Sequence, residues 1–302
     1  MYKKAMDDKY GPAKNLDELG LKAQLMNYEA MRPMFEAFVV NRPKATGVVQ
    51  WMLNSPWPEF YWQLYDYYLM PTGAYFGTLK ACQPATLIYN YDDHKVYASN
   101  DGTSGLSNYS AAIRIYDTAS RIVFEKTEPV SLGSDEVKSL IDIPQLKGDR
   151  EVYFLDMKLT DASGAEVSNN FYWLAAKKTG MDWNQHFWFY TPQKQYADFT
   201  KVNSMEKTDI SVSKEIVHQG DEWEVTVTLT NPSEKLAFFI ELMAVKKSDG
   251  SAILPVFWSD NYVSLAPGES RKVNLKFFAK DLGSDELLIN IQGVNLKEIK
   301  MI

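Results

Sequence analysis

A chain of 302 residues with 45% hydrophobic positions is too long for one ordinary core and too apolar to stay unfolded, so two or three globular domains are predicted and intrinsic disorder is excluded. Its 39 acidic and 32 basic residues leave a net charge of -7 and are scattered without a basic stripe, so no nucleic-acid partner is expected. Cys82 is the only cysteine, His94, His186 and His218 stand outside metal-ligand spacings, and no run approaches the roughly 18 apolar residues of a membrane span. No disulfide framework, metal, cofactor or membrane partner is therefore expected.

Residues 15–40 read as a helix, because Leu21, Leu25, Tyr28, Met31, Phe35 and Phe38 recur at spacings of three and four. Asn15 and Glu18 form a capping-box pair at its start, and Pro33 is expected to bend or divide it. Residues 44–54 are a short, partly β-branched apolar run between Pro43 and Asn54, as expected for a strand buried on both faces of a parallel sheet. Ser55-Pro56-Trp57-Pro58 must be irregular, since proline lacks an amide donor and restricts the residue before it. Helical segments are predicted over 61–68, with Trp62, Tyr65, Tyr67 and Tyr68 as packing residues, and over 74–81, beside which Cys82 is expected to be a small buried thiol.

From about residue 86 the period changes from 3.6 to 2. Tyr153, Leu155, Met157 and Leu159 make one apolar face, and Trp223, Val225, Val227 and Leu229 make another in a second block. Turn signals at Asn100-Asp-Gly102, Ser163-Gly164, Ser248-Asp-Gly250 and Pro267-Gly268 space the strands as in a seven-stranded immunoglobulin-like sandwich for each block. Between the blocks, Trp183, His186, Phe187, Trp188, Phe189 and Tyr190 predict a connection packed down against its surroundings. The expected division is 1–85, 86–200 and 201–302. The N-terminal Met-Tyr-Lys-Lys-Ala-Met-Asp-Asp has neither the apolar stretch nor the cleavage site of a secretory signal.

The strings TGVVQWMLNSPWP at 46–58, WQLYDYY at 62–68 and AYFGTLKACQP at 74–84 resemble glycoside hydrolase family 2, above all its exo-β-D-glucosaminidase branch and next its β-mannosidases. The likeness runs on through YNYDD at 89–93 and returns in FWSDNY at 257–262 and LAPGES at 265–270. The resemblance implies a mostly β chain. Two immunoglobulin-like sandwiches would follow the seventh helix, eighth strand and eighth helix of a (β/α)8 barrel whose remainder lies upstream.

Family members hydrolyse with an acid after the fourth barrel strand and a nucleophile at the end of the seventh, about 5 Å apart in a retaining mechanism. Both positions would precede residue 1, so no residue here is expected to be catalytic. Substrate-binding roles are implied for Trp51, stacking on a pyranose face, for Asn54, whose amide can meet a hydroxyl or amine, and for Trp57 as a subsite wall. Read without the resemblance, Trp51 is a core residue and Asn54 caps the loop before Pro56. Asp66, Asp92, Asp93 and Glu59 read as turn or surface acids, and Asp260 and Asn261 as loop structure.

The resemblance further implies a β-linked oligosaccharide as partner of the intact enzyme and a periplasmic or secreted location. An unpaired apolar strand at 46–54 predicts self-association of the chain alone or a loosened N-terminal segment. The alternatives are a non-catalytic carbohydrate-binding module, using Trp173, Trp183 or Trp258, and a structural scaffold.

Overall fold

A computed structural model describes residues 1–59, 63–148 and 151–302. The chain forms two compact units, one from residues 1–50 and 77–205 and the other from 51–76 and 206–302, so the units are drawn differently from the three expected segments.

In the first unit, helix α1 (Tyr2–Tyr10) precedes α2 (Leu16–Val40); α3 (Gly73–Ala81) begins with the last residues of the 51–76 stretch and leads into the first strands. Helix α1 escaped the sequence reading because its surface is built from Lys3–Asp7 and Lys4–Asp8 ion pairs four residues apart, and only Met6 and Tyr10 are buried. Asn15 caps α2 as expected, its Oδ1 accepting the Glu18 amide at 2.8 Å, while Glu18 accepts the Lys14 amide at 2.9 Å. The helix runs through Pro33 as one element. At Gly77 of α3 a Cβ would lie 2.6 Å from the Tyr28 carbonyl oxygen of α2, a closeness only glycine permits.

Seven strands follow: β1 (Ala85–Asn90), β2 (Lys95–Asn100), β3 (Leu106–Asp117), β4 (Ile122–Leu132), β5 (Glu136–Asp142), β6 (Val152–Thr160) and β7 (Glu166–Ala175). They make a β1-β2-β5 sheet and a β4-β3-β6-β7 sheet, the seven-stranded immunoglobulin-like sandwich expected. Leu155, Met157 and Leu159 join Ile113, Ile115, Val96 and Tyr172 in its core. A second apolar layer covers the outside of β7, where Tyr28 packs against Trp173 and the Trp173 indole donates to the Tyr10 hydroxyl at 2.9 Å.

Tyr28, Arg32 and Glu36, four residues apart, share one face of α2 and are all buried. The Arg32 side chain is 0% exposed: it ion-pairs with Glu29, lies 3.6 Å from the Tyr172 ring centre and donates to the Phe171 carbonyl at 2.7 Å. Glu36 accepts the Tyr172 hydroxyl at 2.6 Å, and burial pushes its carboxyl up to about 7 against the pull of Arg32.

The connection from 176 to 205 holds β8 (Gly180–Met181), a 3-10 turn at Trp183–Gln185, β9 (Gln193–Gln195) and a second turn at Thr200–Ser204. Contrary to expectation its aromatic tip is not packed down. Trp183, Phe187, Trp188 and Phe189 are 57–90% exposed; Phe187 and Trp188 pack on Phe189, Trp188 edge-to-face at 4.9 Å, and Trp183 lies against His186.

The second unit carries β10 (Ser211–Gln219), β11 (Glu222–Thr230), β12 (Ala237–Lys246), β13 (Phe257–Trp258), β14 (Val263–Leu265), β15 (Ser270–Phe278), α4 (Ala279–Leu282), β16 (Leu287–Gly293) and β17 (Lys300–Met301). Sheets β10-β11-β15-β13 and β14-β12-β16-β17 form the second sandwich, with Val225, Val227 and Leu229 fully buried as their alternation predicts. A register shift in β12 between Ala237 and Ile240 brings Phe239 to a positive φ of 52° and buries both Phe238 and Phe239. Its freed amides donate to Asn295 at 2.9 Å and to Ser264 at 3.1 Å. The Pro267-Gly268 turn closes with Gly268 at φ 75°.

Three expectations are corrected. Residues 46–53 form no strand, because an extended segment becomes a strand only against a neighbour, and the pairing seen at its end among the described residues is a single isolated bridge from Asn54 to Tyr65; Val49 is 90% exposed. The helix expected over 61–68 is absent from 63–68, where Asp66 caps a turn by accepting the Met70 amide at 2.9 Å; Tyr61 and Trp62 lie outside the described residues. Cys82 is exposed, since it stands just past the last turn of α3.

Because folded Glu36 keeps its proton to a higher pH than the usual carboxylate, it costs stability as pH rises from about 4.5 to 7. Glu36→Gln is expected to gain stability relative to wild type at pH 8 and to gain little at pH 4.5, read as Tm differences by circular dichroism; parallel profiles would refute the assignment.

Candidate functional site

The predicted site residues stand on one irregular stretch, 51–59, of the second unit. Trp51 is 77% and Trp57 62% exposed, and Asn54 is exposed as well, so none of the three is a core residue. Asn54 forms an isolated bridge with Tyr65, and the Tyr65 amide donates to the Leu53 carbonyl at 2.9 Å. Among the described residues the Asn54 side chain makes a 3.5 Å contact to the Ser55 carbonyl, a long bond that spends little of its amide.

Proline dictates that this stretch cannot be held by a ladder, and side chains hold it instead. The buried Ser55 hydroxyl bonds the Trp57 carbonyl and the Glu59 carboxylate, each at 2.6 Å, and Glu59 also accepts from Gln63 at 3.0 Å. Thr72 then donates to the carbonyls of Gln63 and Leu64 at 3.0 and 3.1 Å. These residues, Ser55, Gln63 and Thr72, were not singled out from the sequence. The only signal was the density of short hydroxyl and amide side chains around the prolines.

Rings carry the support onward, with Tyr65 against Tyr75 at 5.1 Å and Phe76 against Tyr262 at 5.7 Å. Burial pushes the Tyr65 hydroxyl up to about 12. The Tyr262 hydroxyl donates to Glu241 at 2.8 Å, and burial raises the Glu241 carboxyl above its ordinary value. Asn261 is loop structure: its side chain accepts the Leu242 amide and donates to the Leu242 carbonyl, both at 2.8 Å, and Asp260 faces Arg271 at 3.8 Å.

The remaining acids serve local structure too. In the first unit Asp93 accepts from Asn90 at 2.9 Å and Tyr97 at 2.6 Å in the turn ahead of His94, and Asp92 is anchored through its amide to Asn90. Among the described residues no group of three or more His, Cys, Asp or Glu is placed to hold a metal. Of the tryptophans nominated for independent sugar binding, Trp173 (2%) and Trp258 (9%) are buried, and only Trp183 is exposed.

Two immunoglobulin-like sandwiches, with an exposed aromatic loop braced within the second unit, define a multi-domain β-sandwich protein. Residues 188–296 match the family described as the exo-β-D-glucosaminidase Ig-fold domain, and residues 92–178 the mannosidase Ig/CBM-like domain. The chain carries the Ig-fold domains of the exo-β-D-glucosaminidase and mannosidase family.

The chain is 35% identical to an exo-β-D-glucosaminidase of Arthroderma benhamiae over 92% of its length, and 34% identical to one of Amycolatopsis orientalis over 96%. It spans 31% and 29% of those relatives, about a third of their length. The crystal structure of the Amycolatopsis orientalis exo-chitosanase superposes on all of this chain with a TM-score of 0.94 at 32% identity, over 36% of that chain.

Since Trp51 is exposed and Thr72 braces the loop, Trp51→Ala should change stability by less than about 0.5 kcal/mol. Thr72→Val should cost about 1 kcal/mol through loss of its one hydroxyl hydrogen, shared between the Gln63 and Leu64 carbonyls. Thermal denaturation of the two variants checks the ranking.

Proposed function

We propose that this chain is the C-terminal part of a retaining, exo-acting β-glycosidase of β-glucosaminide or β-mannoside type, whose acid and nucleophile carboxylates lie in the part upstream. On this reading residues 1–85 belong to the end of the catalytic barrel, and residues 86–200 and 201–302 are accessory sandwiches. The observation that carries the reading is the loop at 51–57, which presents Trp51, Asn54 and Trp57 to solvent on a braced support.

The chemistry asked of the loop is binding and water exclusion. Trp51 offers a flat apolar face for a pyranose ring, and removing water beside the oxocarbenium-like transition state strengthens the hydrogen bonds made to it. Asn54 supplies an amide that accepts from and donates to ring substituents. The choice of a glucosaminide is supported by relatives named for that activity, one of them solved with PNP-β-D-glucosamine bound. A mannoside is the second choice, supported by the lily mannosylglycoprotein endo-β-mannosidase at 27% identity. Val49, Leu53 and Trp57, each more than half exposed, would also make the chain self-associate when alone.

The chain by itself is expected to leave aryl β-D-glucosaminides and β-mannosides uncleaved. In the complete parent enzyme Trp51→Ala should lower kcat/KM for the glucosaminide by at least about tenfold, or ~1.4 kcal/mol of transition-state stabilisation. Turnover by the isolated chain at the rate of an intact glycosidase, or an unchanged kcat/KM in the variant, would overturn the proposal.

A further inference from the structure

A cavity of about 700 Å³ opens in the first unit, well away in sequence from the loop at 51–59, and its lining belongs entirely to that unit. Its volume falls within the range of small-molecule sites, roughly 300–1,000 Å³. The floor is apolar and preformed: Tyr10 and Phe199 stack at 5.2 Å, and Trp173, Leu174 and Ala197 are buried beside them. The mouth, with Tyr91, Asp93, Gln145 and Lys178, is exposed.

The polar groups of the lining divide by sign. The carboxylates are already bonded: Glu29 takes the Arg32 guanidinium and accepts the Tyr91 hydroxyl at 2.6 Å, while Asp93 holds Asn90 and Tyr97. The donors have capacity to spare. Burial lowers the Lys9 pKa below the ordinary lysine value against the raising pull of the Glu29 charge, and that carboxylate is already bonded to Arg32 and Tyr91.

The Lys178 ammonium meets His94 Nε2, and an ammonium can only donate, so that nitrogen is the acceptor and the imidazole proton sits on Nδ1. Nδ1 then donates to the Tyr89 hydroxyl at 2.8 Å. Burial and the Lys178 charge both push His94 below its usual value, as a neutral ring requires. With the ring nitrogen donating, the Tyr89 phenolic hydrogen is not spent on His94, and Tyr89 lines the cavity beside Asp93.

We propose that this cavity is a binding site for a small organic carboxylate carried on an apolar ring, the ring lying on the Tyr10, Trp173 and Phe199 floor and the carboxylate taken by Lys9, Lys178 and the Tyr89 hydroxyl. An amine-bearing ligand is disfavoured, because the acids that would receive it are engaged. A neutral sugar is disfavoured by the apolar floor, which offers its hydroxyls few partners. The inference is independent of the glycosidase reading and requires no catalytic activity.

The test is calorimetric titration of the purified chain with 2-naphthoate and with its neutral counterpart 2-naphthamide. Naphthoate is expected to bind with one-to-one saturation and at least about tenfold more tightly than the amide. The double variant Lys9→Met with Lys178→Met should bring the two ligands to within about twofold, and Ala176→Phe, which fills the cavity, should remove both. Trp188→Ser, on the exposed aromatic tip, should change nothing.

A wild-type chain that does not prefer the anion refutes the site, as does a preference that survives the double variant. Loss of binding in Trp188→Ser would place the probe on that tip and equally refute it. Should circular dichroism show the double variant unfolded, Lys178→Met alone, at the exposed mouth, takes its place, with a loss of anion preference expected and its full retention counting against the site.

Discussion

The first unit is organised around a guanidinium from which water is excluded. Taking Arg32 out of solvent is tolerable because Glu29, the Tyr172 ring and the Phe171 carbonyl answer its charge from two different elements, although its Nε has no hydrogen-bond partner among the described residues. Glu29 moves with α2, so the Tyr172 ring and the Phe171 carbonyl, both on β7, set where the helix lies on the first sandwich. Sliding the helix by a turn would put Tyr28 or Glu36 where Arg32 now lies and strand a buried cation. That placement seats Trp173 against Tyr28 and Tyr10, fixes α1, and leaves the cavity between the helices and the strands.

The loop at 51–59 is held by a contrasting principle. No charge is buried there, and the backbone is pinned by hydroxyl and amide side chains whose partners are mostly carbonyls a few residues away. Such short-range bonds permit large rings to stand out in solvent without unravelling the support beneath them. The bulge in β12 uses the same device, with Asn295 and Ser264 taking the amides that the ladder releases. In both places a polar side chain does for irregular backbone what a neighbouring strand does for regular backbone.

These differences explain what could be read from the residues. Strands such as β6 and β11 were legible because alternation encodes a face, and α2 because Asn15 marks its start and an apolar stripe its length. Helix α1 was hidden, since its inward surface is two residues and the rest is charge. The run at 46–54 was misread for a different reason: apolar β-branched residues state a preference for a sheet, and the sheet itself depends on neighbours that a local pattern does not name. The position of Trp51, Asn54 and Trp57 on a loop followed from Pro56 and Pro58, whereas the latch of Ser55, Gln63 and Thr72 leaves no periodic trace. The exposed rings of 183–190 were misjudged because aromatic density speaks equally for a core and for a surface. Lys9 and Tyr89 carried no signal, as the sites facing one cavity come from segments eighty residues apart.

One feature of the fold bears on how the molecule can be taken apart. The second unit is assembled from residues 51–76 and, after the chain has completed the other unit, from 206–302. A gene cut once near either boundary would therefore deprive the last sandwich of the piece that docks Phe76 against Tyr262, or leave that piece dangling from a partner to which it does not belong. Faithful dissection calls for a splice, with the early stretch tethered to the late one by an artificial linker, and shuffling of such modules between related chains must carry both stretches together.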